Sequence, residues 1–298
     1  NLGQSTEAIA AGLDYLRQLG VEWSAHPTAE EVRREYELVW ATLGDRTIEE
    51  LIDHARMSNS TYLGMVEVLI ALTTPAWLTD RNLLCLVICR AANLSLAYGN
   101  CDASCVAYVH LGVLAGPHFG NYEAGYRFSL LANQLVDQRG LRRFQTLTYL
   151  LFGHLALPWT RHVRVGRELI RRAYETAKMV GDFTYAAVSA ERLNMNMLAA
   201  GDPLGDTQQQ IEASLDFKER RPFVVIILSI IPQLGLVRSL RGLTRTFGTF
   251  DDGQIDERQI EDQLASNSIF AIGEFNYWVR KLQARFFAGD YVSAVEAS

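Results

Sequence analysis

The sequence has no long uninterrupted apolar run, no block of like charge, few cysteines and none of the common catalytic signatures. The longest apolar run, Pro222 to Val237, is broken by Pro232 and Gln233 and falls short of the ~20 residues that a spanning helix needs. It reads as a buried helix kinked at Pro232. Its Val and Ile content would also suit a strand, and only the repeat register described below decides for helix. There is no basic-then-apolar leader, so a cytoplasmic location is expected. With 28 Lys and Arg against 34 Asp and Glu, the net charge of −6 is modest. No nucleic-acid partner is therefore expected for the surface as a whole, and no membrane partner. The densest basic group, Arg161, Arg164, Arg167, Arg171 and Arg172, is interleaved with apolar residues and reads as a solvated helix face.

The four cysteines form two pairs, Cys85/Cys89 and Cys101/Cys105, each spaced to share a helix face. A four-thiolate metal site is conceivable at this spacing. Flanks such as "LCLVICRAANL" favour small core thiols instead, so neither a metal nor a disulfide is expected. No phosphate loop and no dinucleotide fingerprint occurs. A nucleophile elbow and a kinase signature set are missing too. The six histidines are scattered, and His154 and His162 flank "LALPWTR" without a matching carboxylate. No residue is expected to be catalytic and no cofactor is implied.

What is present is a rhythm. Breaks at Gly99, Gly140, Gly181 and Arg221 are 41, 41 and 40 residues apart. Between them lie breaks at Asp80, Asn121, Thr160 and Asp202, spaced 41, 39 and 42. Pro75, Pro117, Pro158 and Pro203 accompany the second set. Asp290 follows Asp202 by 88 residues, two units with a small insertion. Each unit of about 41 residues is thus helix, break, helix, break. This predicts an all-α, bihelical, tetratricopeptide-like solenoid over residues 1–298 as a single domain. Turn chemistry agrees, because Gly suits a helix end and Asp a helix start.

Residues 1–19 read as an unpaired second helix. "PTAEEVRREYELVW" carries a capping box at Thr28 and Glu31, and "GDRTIEELIDH" is expected to begin a further helix. The stretch 240–262 leaves the rhythm and reads as an irregular insertion, an ordered loop followed by a short acidic helix. "GDYVSAVEAS" repeats the start of a second helix, so the array is expected to continue in a longer polypeptide. Phe286, Phe287, Tyr291 and Val295 at one end, and Leu2, Ile9 and Leu13 at the other, would then lack a neighbour. That leaves the chain open to homo-oligomerisation. Trp40, Trp77, Trp159 and Trp278 read as core or turn anchors.

The register also aligns a candidate recognition strip. In "DFTYAAVSAERLNMNML" the polar residues Tyr185, Ser189, Arg192 and Asn196 recur on one helical face. Stepping by whole repeats adds His110, Thr148, Tyr277 and Arg280. First helices line the concave side of such arrays, and Arg and Tyr are favoured at recognition surfaces. The alternative is that these residues only solvate that side.

Five phrases carry a resemblance: "HPTAEEVRREYELVWATLGDRTIEELID", "LTDRNLLCLVICRAANLSLAYGNCDASCVAYVHLG", "FGNYEAGYRFSLLA", "RGLTRTFGTFDD" and "YWVRKLQARFFAGDY". With them the chain resembles the tetratricopeptide-like helical region of large bacterial multidomain signalling proteins. In that family a serine/threonine-kinase-like domain is followed by an AAA-type signal-transduction ATPase, the helical region, a GAF sensor and a histidine kinase. The resemblance implies a non-catalytic sensor or regulatory arm within a larger histidine kinase and ATPase. Its partners would be the adjoining kinase and ATPase domains and a protein or small-molecule effector. The competing expectations are a passive protein-interaction scaffold and an enzyme with chemistry in the concave groove.

Overall fold

A computed structural model describes residues 2–215, 224–265 and 271–297. Among these residues the fold is all helix, with no strand and one isolated parallel bridge between Arg56 and Asn100. The chain divides into two compact units, Asn1–Arg161 and His162–Ser298.

The first unit contains α1 (Leu2–Gln18), α2 (Ala29–Leu43), α3 (Ser60–Ala71), α4 (Thr73–Thr79), α5 (Arg81–Tyr98), α6 (Asp102–Ala115), α7 (Tyr122–Arg139) and α8 (Gln145–Leu151). The predicted stops and starts are found in their local chemistry. Thr28 and Glu31 form the reciprocal capping box of α2. Asp80 Oδ1 accepts from Leu83 N at 2.9 Å, and Asn121 Oδ1 from Ala124 N at 3.2 Å. Gly140 ends α7 with φ 72°, a left-handed cap that a side chain would strain. The helix expected at "GDRTIEELIDH" is only a 3-10 turn, Glu49–Asp53. The chain leaves it to pair with the end of α5: Asn100 N donates to Ala55 O at 2.8 Å and Met57 N to Asn100 O at 3.0 Å. These bonds replace the helical ones that a continuing helix would need. After α8 the backbone widens into a π turn at Phe152–Ala156 and tightens again over Leu157–Trp159.

Helix α5 is buried almost all round, from Leu83 to Leu96, which suits a helix sandwiched by neighbours. Cys85, Cys89 and Cys105 lie in this core. Burial pushes the Cys85 thiol up to about 11, and raises Cys89 and Cys105 well above their ordinary value. Ser60–Thr79 is one stretch with the length and composition of a membrane span. In this fold Met65, Val66, Leu69, Ile70 and Ala76 of that stretch are buried, and its two helices pack on α1 and α5. Ile9 and Leu13 of α1 are buried as well. The bare face expected at the start of the chain is therefore closed by α4, as far as the described side chains go; that of Leu2 lies outside them. Trp77 and Trp159 are 62% and 55% exposed and so lie outside the core, but Trp159 stands in the 3-10 turn Leu157–Trp159 with its ring 5.5 Å from Tyr122.

The second unit contains α9 (Arg167–Met179), α10 (Phe183–Ala199), α11 (Leu204–Ser214), α12 (Val224–Leu240), α13 (Glu257–Ala265), α14 (Ala271–Phe287) and α15 (Tyr291–Glu296). Asp182 and Asp290 cap α10 and α15 through the amides of Tyr185 and Ser293. The expected break at Arg221 lies outside the described residues. Helix α12 carries Pro232 in its interior and buries Ile227, Leu228, Ile230, Leu234, Leu236 and Val237, as predicted for this segment. The basic group is more than a solvated face, because Arg164 and Arg167 both pair with Asp202, at 2.7 and 2.6 Å.

The irregular stretch is an ordered loop followed by α13. Phe250 is buried against Gly235, where a Cβ would lie 2.5 Å from its ring. It also meets Tyr277 edge-on at 5.8 Å. Lys281 is buried in an ion pair with Glu257 and lies 5.0 Å over the Phe250 ring. At the end of this unit Phe286, Phe287, Tyr291 and Val295 are exposed.

Candidate functional site

Helix α10 places polar residues at positions where α12 and α14 approach it. Glu191 is 3% exposed. Its Oε1 accepts from Gln233 Nε2 of α12 at 2.7 Å, and its Oε2 lies 3.1 Å from Arg192 NH1. Arg280 of α14 faces both Glu191 and Arg192 closely enough to feel their charge. Burial raises the Glu191 carboxyl above its ordinary range, opposed by Arg192, Gln233 and Arg280 in that order. Burial likewise lowers Arg280, with Glu191 opposing and Arg192 reinforcing the shift. One carboxylate thus stands among two guanidinium groups, leaving a surplus of positive charge.

The hydrogen bonding of this cluster is incomplete. The amide nitrogen of Gln233 is committed to Glu191, which turns its Oε1 away without a partner. The Ser189 hydroxyl, on the same helix, is fully buried and also unpartnered. So is Asn194 Nδ2, while Asn194 Oδ1 accepts from Ser214 at 3.1 Å. Buried polar atoms usually find partners; these three, two on α10 and one on α12, do not.

The sequence strip is divided by these surroundings. Arg192 and Arg280 join the cluster, and Ser189 is buried on α10. Tyr185 is half-buried at the start of α10. Asn196 is a brace: its Nδ2 donates to Val163 O at 2.7 Å, and its Oδ1 accepts from Arg167 Nε at 3.0 Å. Tyr277 is fully buried, and its hydroxyl donates to Glu261 at 2.7 Å. In the first unit, Thr148 is buried and returns its hydroxyl to Phe144 O at 3.0 Å. His110 Nδ1 lies 3.0 Å from Val106 O, and burial lowers its pKa to about 4. It is neutral at pH 7.

Glu191, Gln233 and Asn194 were invisible to the repeat reading. Glu191 passes for a surface charge beside Arg192, and Gln233 follows a proline inside an apolar run. The only signal was a polar residue in "IIPQLGLV", where an apolar one would be ordinary. No group of His, Cys, Asp and Glu able to hold a metal ion occurs among the described residues. No family model, curated protein or solved structure matches the chain.

Proposed function

We propose that this chain is a regulatory helical-repeat arm, a tetratricopeptide-like array that receives a partner or effector and biases adjoining ATPase and kinase domains. One observation carries the reading: the Glu191, Arg192, Arg280 and Gln233 cluster on three helices, its carboxylate and amide buried, its guanidinium groups half-buried and its hydrogen bonds unfinished. A buried charge cluster with a surplus guanidinium group is poorly suited to inert packing. It suits an acidic group presented by an effector, whose arrival would alter how α10, α12 and α14 rest on one another. An arm of this kind works by differential affinity for two states. The absence of catalytic motifs supports a non-catalytic role, and the resemblance to multidomain signalling proteins supports the adjoining domains and a cytoplasmic location.

The test is the ATPase or autokinase rate of the polypeptide that carries this segment, compared with its Arg280→Met variant. A regulatory arm changes the rate while leaving ATP affinity alone. A passive scaffold leaves the rate unchanged and loses only partner binding, and turnover by the isolated chain would favour the enzyme reading.

A further inference from the structure

The first unit contains a half-open cleft of about 460 Å³ between α2, α3, α5 and the turn after α1. Its volume is in the range of small-molecule sites. On α5, Arg90 and Asn93 lie one turn apart on the same face, and both line the cleft. Asn93 is 4% exposed. Its Nδ2 donates to Glu35 O at 3.0 Å and Glu35 Oε1 at 2.7 Å. With the nitrogen so committed, the amide cannot be flipped, and its Oδ1 is left buried without a partner. Arg90 NH1 lies 3.6 Å from Glu35 Oε1, yet its Nε–H is also buried and unpartnered. A free donor and a free acceptor thus belong to residues one turn apart that line the same cleft.

The aromatic wall is equally specific. Tyr62 and Tyr98 stack at 3.6 Å and 15°, and their hydroxyls interact, which raises Tyr62. Tyr98 keeps an exposed edge toward solvent. Leu38, Met65 and Leu94 supply apolar lining.

We infer that this cleft binds a neutral, planar nitrogen heterocycle whose edge carries a hydrogen-bond donor next to an acceptor, the chemistry of a nucleobase. The donor would meet Asn93 Oδ1, the acceptor Arg90 Nε–H, and the ring would rest against the tyrosine pair. Asn side chains and aromatic faces read bases in this way elsewhere. A carboxylate or phosphate fits less well, because Glu35 already balances Arg90 and the unpaired Asn93 oxygen repels an anion. The inference does not need the regulatory reading, since a binding module without output would hold the same ligand.

The test is calorimetric titration of the chain with adenosine, guanosine, uridine and nicotinamide, with benzoate as an anionic planar control. The variants are Asn93→Leu and Tyr98→Ala, with Trp77→Ala as a control outside the cleft. Saturable binding of at least one neutral probe is expected. Tyr98→Ala, at a position 45% exposed, should weaken it by about tenfold with the thermal midpoint of the chain recorded beside it, and Asn93→Leu by at least as much. Trp77→Ala should leave it unchanged. The inference is overturned if no neutral probe saturates, if benzoate binds more tightly than every neutral probe, or if Tyr98→Ala leaves affinity intact. Because the regulatory reading rests on the Glu191 cluster and not on this cleft, failure of either leaves the other standing.

Discussion

In the first unit α6 and α7 meet through small residues, whereas in the second α10 sets a buried carboxylate, Glu191, against Gln233 of α12 and within electrostatic range of Arg280 of α14. Gly112 and Gly125 bring α6 and α7 so close that a Cβ on Gly112 would collide with Ser129 Oγ and lie 2.5 Å from Gly125 O. Polar groups there are closed off locally: Ser95 and Ser104 share a 2.8 Å bond, and Tyr108 donates to Asn100, which donates to Leu51 O. The second unit buries Glu191 and Lys281 and leaves Gln233 Oε1, Ser189 Oγ and Asn194 Nδ2 unpartnered. Both units leave some buried polar atoms unpartnered, Arg90 Nε and Asn93 Oδ1 in the first as well as these in the second, so the contrast lies in the buried charge of Glu191 and Lys281.

The largest effect that would sharpen this contrast is expected from Ile230→Asp. It places an unpaired charge where Ile230 is 1% exposed and should cost about 4 kcal/mol, read as a fall in the urea midpoint. Gly112→Val should cost about 3 kcal/mol by forcing α6 from α7, with loss of helix content on mild heating. A tolerated Gly112→Val would mean that the close approach is not what holds the first unit.

The two units should also answer pH with opposite signs. The folded chain holds His110 at about 4 against an ordinary 6.5, so between those values the unfolded chain binds more protons. Stability from this group is present above 6.5 and lost as pH falls toward 4. Glu191 is raised above its ordinary 4.5, so above 4.5 the folded chain binds more protons. Its contribution therefore declines as pH rises through that window, and Glu191→Gln should flatten it. Urea midpoints across pH 4–8 check both signs. The smallest effect is expected at Gly205 in α11, where an added Cβ meets nothing within 4 Å. Gly205→Ala should stabilise by about 0.5 kcal/mol.

Helix ends were legible in the sequence because capping is local. Gly140, Asp182 and Asp290 act within a few residues of themselves, and the structure uses each as its chemistry suggests. Helical faces were legible too, but periodicity does not say what covers a face. Thr148, Ser189 and Tyr277 fall on one repeat register and are all buried, because the covering residues come from other helices. The loop carrying Phe250 shows the same limit, since its seat at Gly235 is set by tertiary contact. The cleft was invisible for a further reason: Asn93 is fixed by Glu35, 58 residues away and outside the repeat.

The most direct test of the charged-cluster claim is a carboxyl carbon NMR titration of Glu191, assigned by comparison with Glu191→Gln. The expected result is a midpoint above the ordinary 4.5, moving upward again in Arg192→Met as a compensating guanidinium group is lost. A midpoint at or below 4.5, insensitive to Arg192→Met, would show an ordinary solvated carboxylate and contradict the buried, incompletely satisfied cluster on which the regulatory reading rests.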